Sequence, residues 1–253
     1  MMNKHEEELV LNLKNLGCDG YADKLTTVFS TSHVTEKELL GVLTDKASEE
    51  VLEEKQKKAT IRLRQSGLLN TYANLDLLEY SPERQIDKIL IDRLSTCDYI
   101  KEAANVLITG ASGTGKTFIA KALGVRACEE DIRVRICNSR LLLKELSALN
   151  KNEEDNAPYE KKLKFYSRIP LLILDEWLAE PVSRTDTVII QELIDNRWNR
   201  TSTIFCSQLA EENWLSGFKN TALGEAIISR IKSHSYSILL DGEDLRTKHY
   251  ERP

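Results

Sequence analysis

The sequence predicts an α/β fold, a mostly parallel five-stranded sheet with helices, preceded by a small helical module. Three observations lead there. The strand-like run Asn105-Val106-Leu107-Ile108-Thr109 enters Gly110-Ala111-Ser112-Gly113-Thr114-Gly115-Lys116-Thr117, which fits G-x-x-x-x-G-K-[ST] at every fixed position, and Phe118 to Leu123 then reads as a helix. Leu171 to Leu174 is wholly apolar and ends in Asp175-Glu176, the pattern of a strand buried on both faces with carboxylates where open α/β sheets bind ligands. Strand and helix patterns alternate around these two runs, the order that builds a parallel sheet.

Taken from the N-terminus, residues 1–66 read as helical. Leu9, Leu13 and Leu16 mark a first amphipathic stretch, Gly17, Asp19 and Gly20 interrupt it, and Tyr21 to Leu25 begins a second. Thr35 with Glu38 three residues on resembles a capping box, followed by Leu39, Leu40 and Leu43. Residues 67–82 carry the breakers Gly67, Asn70, Asn74, Ser81 and Pro82 and read as a linker. A helix is expected over Glu83–Leu94, with Tyr99-Ile100 ahead of the first strand. The second strand is Ile132–Cys137, and Ser139 suits the cap of a helix through Leu142, Leu146 and Leu149. Asn150 to Pro158 is polar and reads as a loop. A helix over Thr185–Arg197, a strand over Thr201–Ser207, a helix over Ala222–Ile231 and a strand over Ser235–Leu240 complete the pattern. Trp198 is expected to anchor packing rather than to stack on a ligand.

The chemistry of the two central runs is specific. Backbone N–H groups in a glycine-rich turn and the first turn of the following helix surround phosphate oxygens, and the helix dipole favours the same anion. Lys116 adds a full positive charge and Thr117 offers a hydroxyl to Mg²⁺. Asp175 suits the same metal site, and Glu176 suits a general base that polarises water. That pair argues for ATP hydrolysis rather than phosphoryl transfer to a small substrate. Ser207 and Gln208 stand at a strand exit, where the Gln208 amide suits a water or the terminal phosphate. Arg230, near a helix C-terminus, suits either that terminus or the charge of a phosphoryl group in a neighbouring subunit.

Of the 253 residues, 41% are hydrophobic and 30% charged, and no apolar run reaches 18 residues, so no membrane span is expected. The first residues lack an apolar signal core, and the five cysteines, Cys18, Cys97, Cys128, Cys137 and Cys206, are scattered. Reduced thiols and a cytoplasmic location follow as the expectation. The net charge of −5 speaks against a purely electrostatic nucleic-acid binder. It conceals an asymmetry. Residues 1–50 hold five Lys against ten Asp and Glu, whereas 51–70 hold Lys55, Lys57, Lys58, Arg62 and Arg64 against only Glu53 and Glu54. A second basic cluster is Lys161, Lys162, Lys164 and Arg168, of which the three lysines are the candidates for DNA. Each cluster suits either DNA phosphates or the solvated face of a helix.

The ordered combination resembles the IstB-like ATPases, helper proteins of insertion-sequence transposition within the AAA+ class, which are also similar to the helicase loader DnaC. The resemblance rests on Ala104 to Gly110 entering the phosphate loop, Ala122 to Cys128 after it, Leu172 to Glu176, Ala226 to Ile231 and Leu240 to Arg246. It implies that Lys116 and Thr117 contact phosphate and Mg²⁺, that Asp175 holds the metal, that Glu176 is the catalytic base, and that Arg230 is an arginine finger acting across a subunit boundary. Ser207-Gln208 occupies the first sensor, where the family usually has Ser-Asn. Trp177 replaces a smaller apolar residue. Arg246 stands where a closing, sensor-like arginine contacts nucleotide. The resemblance further implies a reduced or absent C-terminal lid, a division into a 1–66 DNA- or partner-binding module, a 67–82 linker and an 83–253 AAA+ domain, and an ATP-dependent homo-oligomer on double-stranded DNA that recruits or activates a transposase. A replicative helicase is the alternative partner. A small-molecule kinase and a nonhydrolysing switch are the remaining readings, and both leave Glu176 without a role.

Overall fold

The computed structural model describes residues 2–30, 35–150, 155–242 and 244–245. Its Cα packing divides the chain into two compact units, Met1–Lys58 and Ala59–Pro253.

In the first unit, α1 (Lys4–Asn15) begins at a capping box. The Asn3 side chain accepts from the Glu6 N–H at 3.0 Å, and Glu6 accepts from the Asn3 N–H at 2.6 Å. α2 (Asp19–Phe29) follows. The expected box before α3 (Glu36–Ser66) is present, with Thr35 N–H donating to Glu38 at 2.8 Å and Glu38 N–H donating to Thr35 Oγ1 at 3.3 Å. α3 runs unbroken for 31 residues, and its last turns belong to the second unit. The stripe of Leu9, Leu13 and Leu16 does not form a buried face: α1 buries none of its residues, whereas α2 buries Ala22 and Leu25.

The second unit contains, in chain order, α4 (Lys88–Ser95), α5 (Asp98–Lys101), β1 (Asn105–Gly110), α6 (Lys116–Glu129), β2 (Val134–Asn138), α7 (Ser139–Asn150), α8 (Ala157–Arg168), β3 (Leu171–Asp175), α9 (Arg184–Arg197), β4 (Ser202–Ser207), α10 (Thr221–Lys232) and β5 (Ser235–Leu240). The five strands form one parallel sheet in the order β2-β3-β4-β1-β5. Alternation along each strand divides the core into two layers. Val106, Ile108 and Ile173 face one layer with Ile119 and Leu123 of α6, and Leu107, Leu172 and Phe205 face the other with Leu146, Ile190 and Leu193. No helix among the described residues is long and apolar enough to cross a membrane. All five cysteines are free thiols.

Local chemistry moved several expected boundaries. The helix expected over Glu83–Leu94 is a 3-10 turn at Pro82–Arg84 followed by α4, because Gln85 takes φ 52 and the Asp87 carboxylate accepts from the N–H groups of Ile89 and Leu90. Tyr99 and Ile100 lie inside the short α5. The second strand starts at Val134 rather than Ile132, since Ile132 N–H still bonds Ala127 O at 2.9 Å, closing α6 around Asp131 at φ 59. Ser139 opens α7 but does not cap it. The cap is Asn138, whose Oδ1 accepts from Leu141 N–H at 3.1 Å. The polar stretch before β3 contains α8, which the sequence reading did not assign, and residues 151–154 lie outside the described ones.

Arg197, 2% exposed, ties the edge of the sheet where β3 and β4 begin. Its Nε donates to Thr203 Oγ1 at 2.9 Å, its Nη1 to the carbonyls of Tyr166 and Ile169 at 2.6 and 2.9 Å, and its Nη2 to Ser202 O. Burial pulls its pKa down to about 9, which leaves it charged at neutral pH. Arg197→Met would strand four buried acceptors. It is expected to lower unfolding stability by about 3 kcal/mol in urea titration, and a loss below about 1 kcal/mol would show that the knot is not structural.

Candidate nucleotide site

β1 ends at Gly110 and α6 starts at Lys116, so residues 111–115 turn the chain between them. Gly110 at φ 149 and Gly113 at φ 80 occupy backbone regions that L residues resist. A Cβ on Gly110 would strike the Leu240 carbonyl of β5, and one on Gly113 would strike the Asp244 carboxylate. Thr114 Oγ1 donates to Ala111 O at 2.9 Å and tightens the turn. Lys116 is buried, and its Nζ donates to Gly110 O at 2.8 Å and Ala111 O at 2.6 Å. Lys116 thus holds its ammonium against the loop at the positive end of a 14-residue helix, a setting that favours an anion.

The acidic run meets this loop from the other side of β4. β1 and β3 flank β4 and run parallel to it, so their C-terminal ends reach the same sheet edge. Thr117 Oγ1 donates to Asp175 Oδ1 at 3.0 Å. A hydroxyl and a carboxylate are hard oxygen donors and fit Mg²⁺. Glu176 and Leu178 both take φ 55, an uncommon conformation for side-chain-bearing residues. Trp177 between them is held tightly. Its N–H donates to Cys206 O at 2.7 Å, its carbonyl accepts from Ser207 Oγ at 2.8 Å, and its ring packs edge-on against Phe205, Trp214 and Phe218 with centroids 4.9 to 6.3 Å away. The large residue at position 177 therefore anchors the strained turn that presents Glu176. Asn138 Nδ2 donates to Glu176 Oε2, and Ser139 Oγ donates to Asp175 O at 2.8 Å. The end of β2 thus orients both acidic residues.

A cleft of about 850 Å³ joins these groups. Ser112, Gly113, Gly115, Lys116, Thr117, Asp175, Glu176 and Gln208 line its polar end, and Tyr72, Leu77, Leu78 and Leu245 line the rest. Tyr72 is 93% exposed, and Leu77 is 64% exposed. Such an apolar wall beside a phosphate loop suits a planar base. Apart from Leu245, it comes from the stretch read as a linker, whose composition does not establish this role.

The remaining expected site residues divide. Gln208 is exposed and lines the cleft. Ser207 is fully buried and its hydroxyl is engaged by Trp177 O and Leu209 N–H, so it braces the Glu176 turn from behind instead of contacting ligand. Arg230 lies apart from the cleft. Its Nε pairs with Asp195 at 2.9 Å and its guanidinium sits over the Trp198 ring at 5.7 Å. Trp198, 45% exposed, is thus a shelf for Arg230 and not a buried anchor. Arg246 lies outside the described residues.

The basic clusters are less uniform than their sequence suggests. At 100° per residue, Lys55, Lys58 and Arg62 share one face of α3, and Lys57 and Arg64 share the opposite face. Lys57 pairs with Glu53 at 3.9 Å, Lys58 with Glu54 at 3.6 Å and Arg62 with Asp131 at 2.8 Å. On α8, Lys162 bonds Glu145 at 2.6 Å and covers the Phe165 and Tyr166 rings, whereas Lys161 and Lys164 are exposed. Lys162 is therefore a packing cation.

Comparison with known proteins agrees with this geometry. The family described as IstB-like ATP binding protein matches residues 11–252. The chain is 31% identical over 237 residues to the insertion sequence ATP-binding protein y4pL of Sinorhizobium fredii, covering 92% of this chain and 94% of that one. It is 27% identical over 245 residues to an IS21-like insertion sequence ATP-binding protein of Bacteroides fragilis, covering 97% and 91%. The fold is similar to the DnaC helicase loader, with a TM-score of 0.55 at 23% identity over 67% of this chain and 97% of that one. It is also similar to AMPPCP-bound DnaA from Aquifex aeolicus, with a TM-score of 0.54 at 18% identity over 72% and 56%. With an AAA+ P-loop fold and a family match across nearly its whole length, the chain belongs to the IstB-like ATP-binding proteins.

Proposed function

We propose that this chain is an ATPase that assembles on double-stranded DNA and recruits or activates a transposase. The observation that carries the reading is the meeting of the phosphate loop, Thr117, Asp175 and Glu176 in one cleft, in a chain whose relatives are named as ATP-binding proteins of insertion sequences. That kinship favours a transposase over a replicative helicase as partner, because the DnaC likeness is one of fold.

The residues divide the work. Loop N–H groups and Lys116 bind the phosphates, and Tyr72, Leu77 and Leu78 receive the base. Thr117 and Asp175 would hold Mg²⁺, which supplies charge neutralisation on phosphate oxygens when bound. Glu176 orients a water and accepts its proton, Asn138 sets the carboxylate's direction, and the Gln208 amide hydrogen-bonds the water or the terminal phosphate. Arg230 is remote from its own cleft but half-exposed on α10, which supports its action on a neighbouring subunit's phosphates. Exposed Lys55, Arg64, Lys161 and Lys164 are the candidates for DNA phosphates, and assembly multiplies such weak contacts.

Lys116→Ala should weaken ATP binding about a hundredfold by removing a buried phosphate charge. Glu176→Gln should keep ATP affinity and cut turnover about 10²–10⁴-fold. Equilibrium binding and phosphate release measure the two. Unchanged turnover in Glu176→Gln would remove the base assignment, and normal affinity in Lys116→Ala would remove the phosphate-loop reading.

With ATP present, the protein should bind duplex DNA with little sequence preference, and log affinity should fall linearly with log salt, by about 0.9 per phosphate neutralised. Fluorescence anisotropy across a salt series tests this. Binding that ignores both ATP and salt would contradict it.

A further inference from the structure

Arg84 is buried at the wall of the nucleotide cleft, and its bonding is unusual for a buried cation. Its Nη1 donates to Glu79 O at 2.8 Å and its Nη2 to Thr114 O at 3.2 Å, whereas its Nε is buried with no hydrogen-bond partner. These acceptors are main-chain carbonyls, which orient a guanidinium without neutralising it. Burial lowers its pKa, with the charge of Glu79 acting the other way.

Thr114 O belongs to the phosphate loop itself. Across a planar trans peptide the carbonyl and the next N–H point in opposite directions, and the chain contains no cis peptide among the described residues. The Thr114 carbonyl points at Arg84, so the Gly115 N–H points away from Arg84. In a loop of this kind the N–H groups surround the phosphates. Arg84 therefore holds the carbonyl side of the Thr114–Gly115 peptide, whose N–H side is a donor that such a loop offers to an anion. A cation bonded to a carbonyl draws electron density across the peptide and makes the N–H on its far side a stronger donor. In a site walled by protein the net positive charge also reaches the phosphates with little screening.

We propose that Arg84 is a positioning residue of the nucleotide site, acting through the Thr114–Gly115 peptide to strengthen phosphate binding. The proposal rests on the reading that this loop holds the phosphates of ATP. It also explains why a cation links the base-side segment at Glu79 to the loop at Thr114: the wall that receives the base and the loop that receives the phosphates share one charged strut.

The test compares Arg84→Gln, which keeps an N–H donor for Thr114 O without the charge, with Arg84→Lys, which keeps the charge without the guanidinium shape. Each is titrated by calorimetry with ATP and with inorganic tripolyphosphate, and each ligand-induced rise in melting temperature is taken from that variant's own ligand-free value, so that altered folding cancels. Arg84→Gln should lose about tenfold in affinity for both ligands by the same factor, and Arg84→Lys should stay within about threefold of the parent. Parent-like binding by Arg84→Gln, or equal losses in the two variants, would overturn the proposal and reduce Arg84 to a structural peg. A parent protein that fails to bind tripolyphosphate would overturn the phosphate-loop reading itself, and Arg84's role with it.

Discussion

The hydrogen bond between Thr117 and Asp175, 3.0 Å long, joins two residues 58 positions apart in the chain. It exists because β1, β4 and β3 run parallel in that spatial order, which delivers the end of β1 and the end of β3 to one edge. An antiparallel β3 would send the acidic pair to the edge that Arg197 occupies. Every other feature of the site presupposes this contact. Lys116 precedes Thr117 on α6, Glu176 follows Asp175, and the cleft opens where the two ends meet. The two-layer core holds that register fixed, since a one-residue slip in any central strand would exchange its two apolar faces.

The second constraint is the turn after β3. Positive φ at Glu176 and Leu178, on either side of Trp177, is costly unless the surroundings hold it. Here the holding group is Trp177, fixed through its backbone by Cys206 and Ser207 and through its ring by Phe205, Trp214 and Phe218. The same β4 strand that separates the loop from the acidic end thereby controls the orientation of Glu176. On the far side, Asn138 reaches Glu176 from the cap of α7. A displacement of α7 would be felt at the Glu176 carboxylate through one side chain.

The parts of this account legible in the sequence were those written in contiguous residues. The phosphate loop and the strand ending in Asp175-Glu176 carry their chemistry in short runs, and the alternation of strands and helices fixed the fold class. Boundaries failed where a single residue adopted positive φ, as at Gln85 before α4 and Asp131 after α6. Residues whose roles arise only from tertiary proximity were not legible. Arg84 meets Thr114 thirty positions away, and Asn138 meets Glu176 thirty-eight away. Nothing local distinguishes them from ordinary polar residues, although Asn138 does stand at a strand exit. Ser207 shows the converse, since the resemblance places it at the first sensor while its hydroxyl donates to the Trp177 carbonyl. Charge runs proved the weakest guide: helical periodicity splits the 55–64 cluster onto two faces, and Glu145 claims Lys162.

Under the proposed function, hydrolysis needs two subunits, one supplying Glu176 and its cleft and the other supplying Arg230. The most direct measurement mixes Arg230→Ala with Glu176→Gln, each inactive alone, carrying different tags so that co-assembly is verified by sequential purification. One class of mixed interface then pairs an intact Glu176 with an intact Arg230, and the other carries both defects. A shared site predicts that phosphate release reappears in the mixture and scales with the fraction of mixed assemblies. Verified mixed assemblies with no recovered turnover would contradict it, because an arginine acting within its own subunit leaves every site with one broken component.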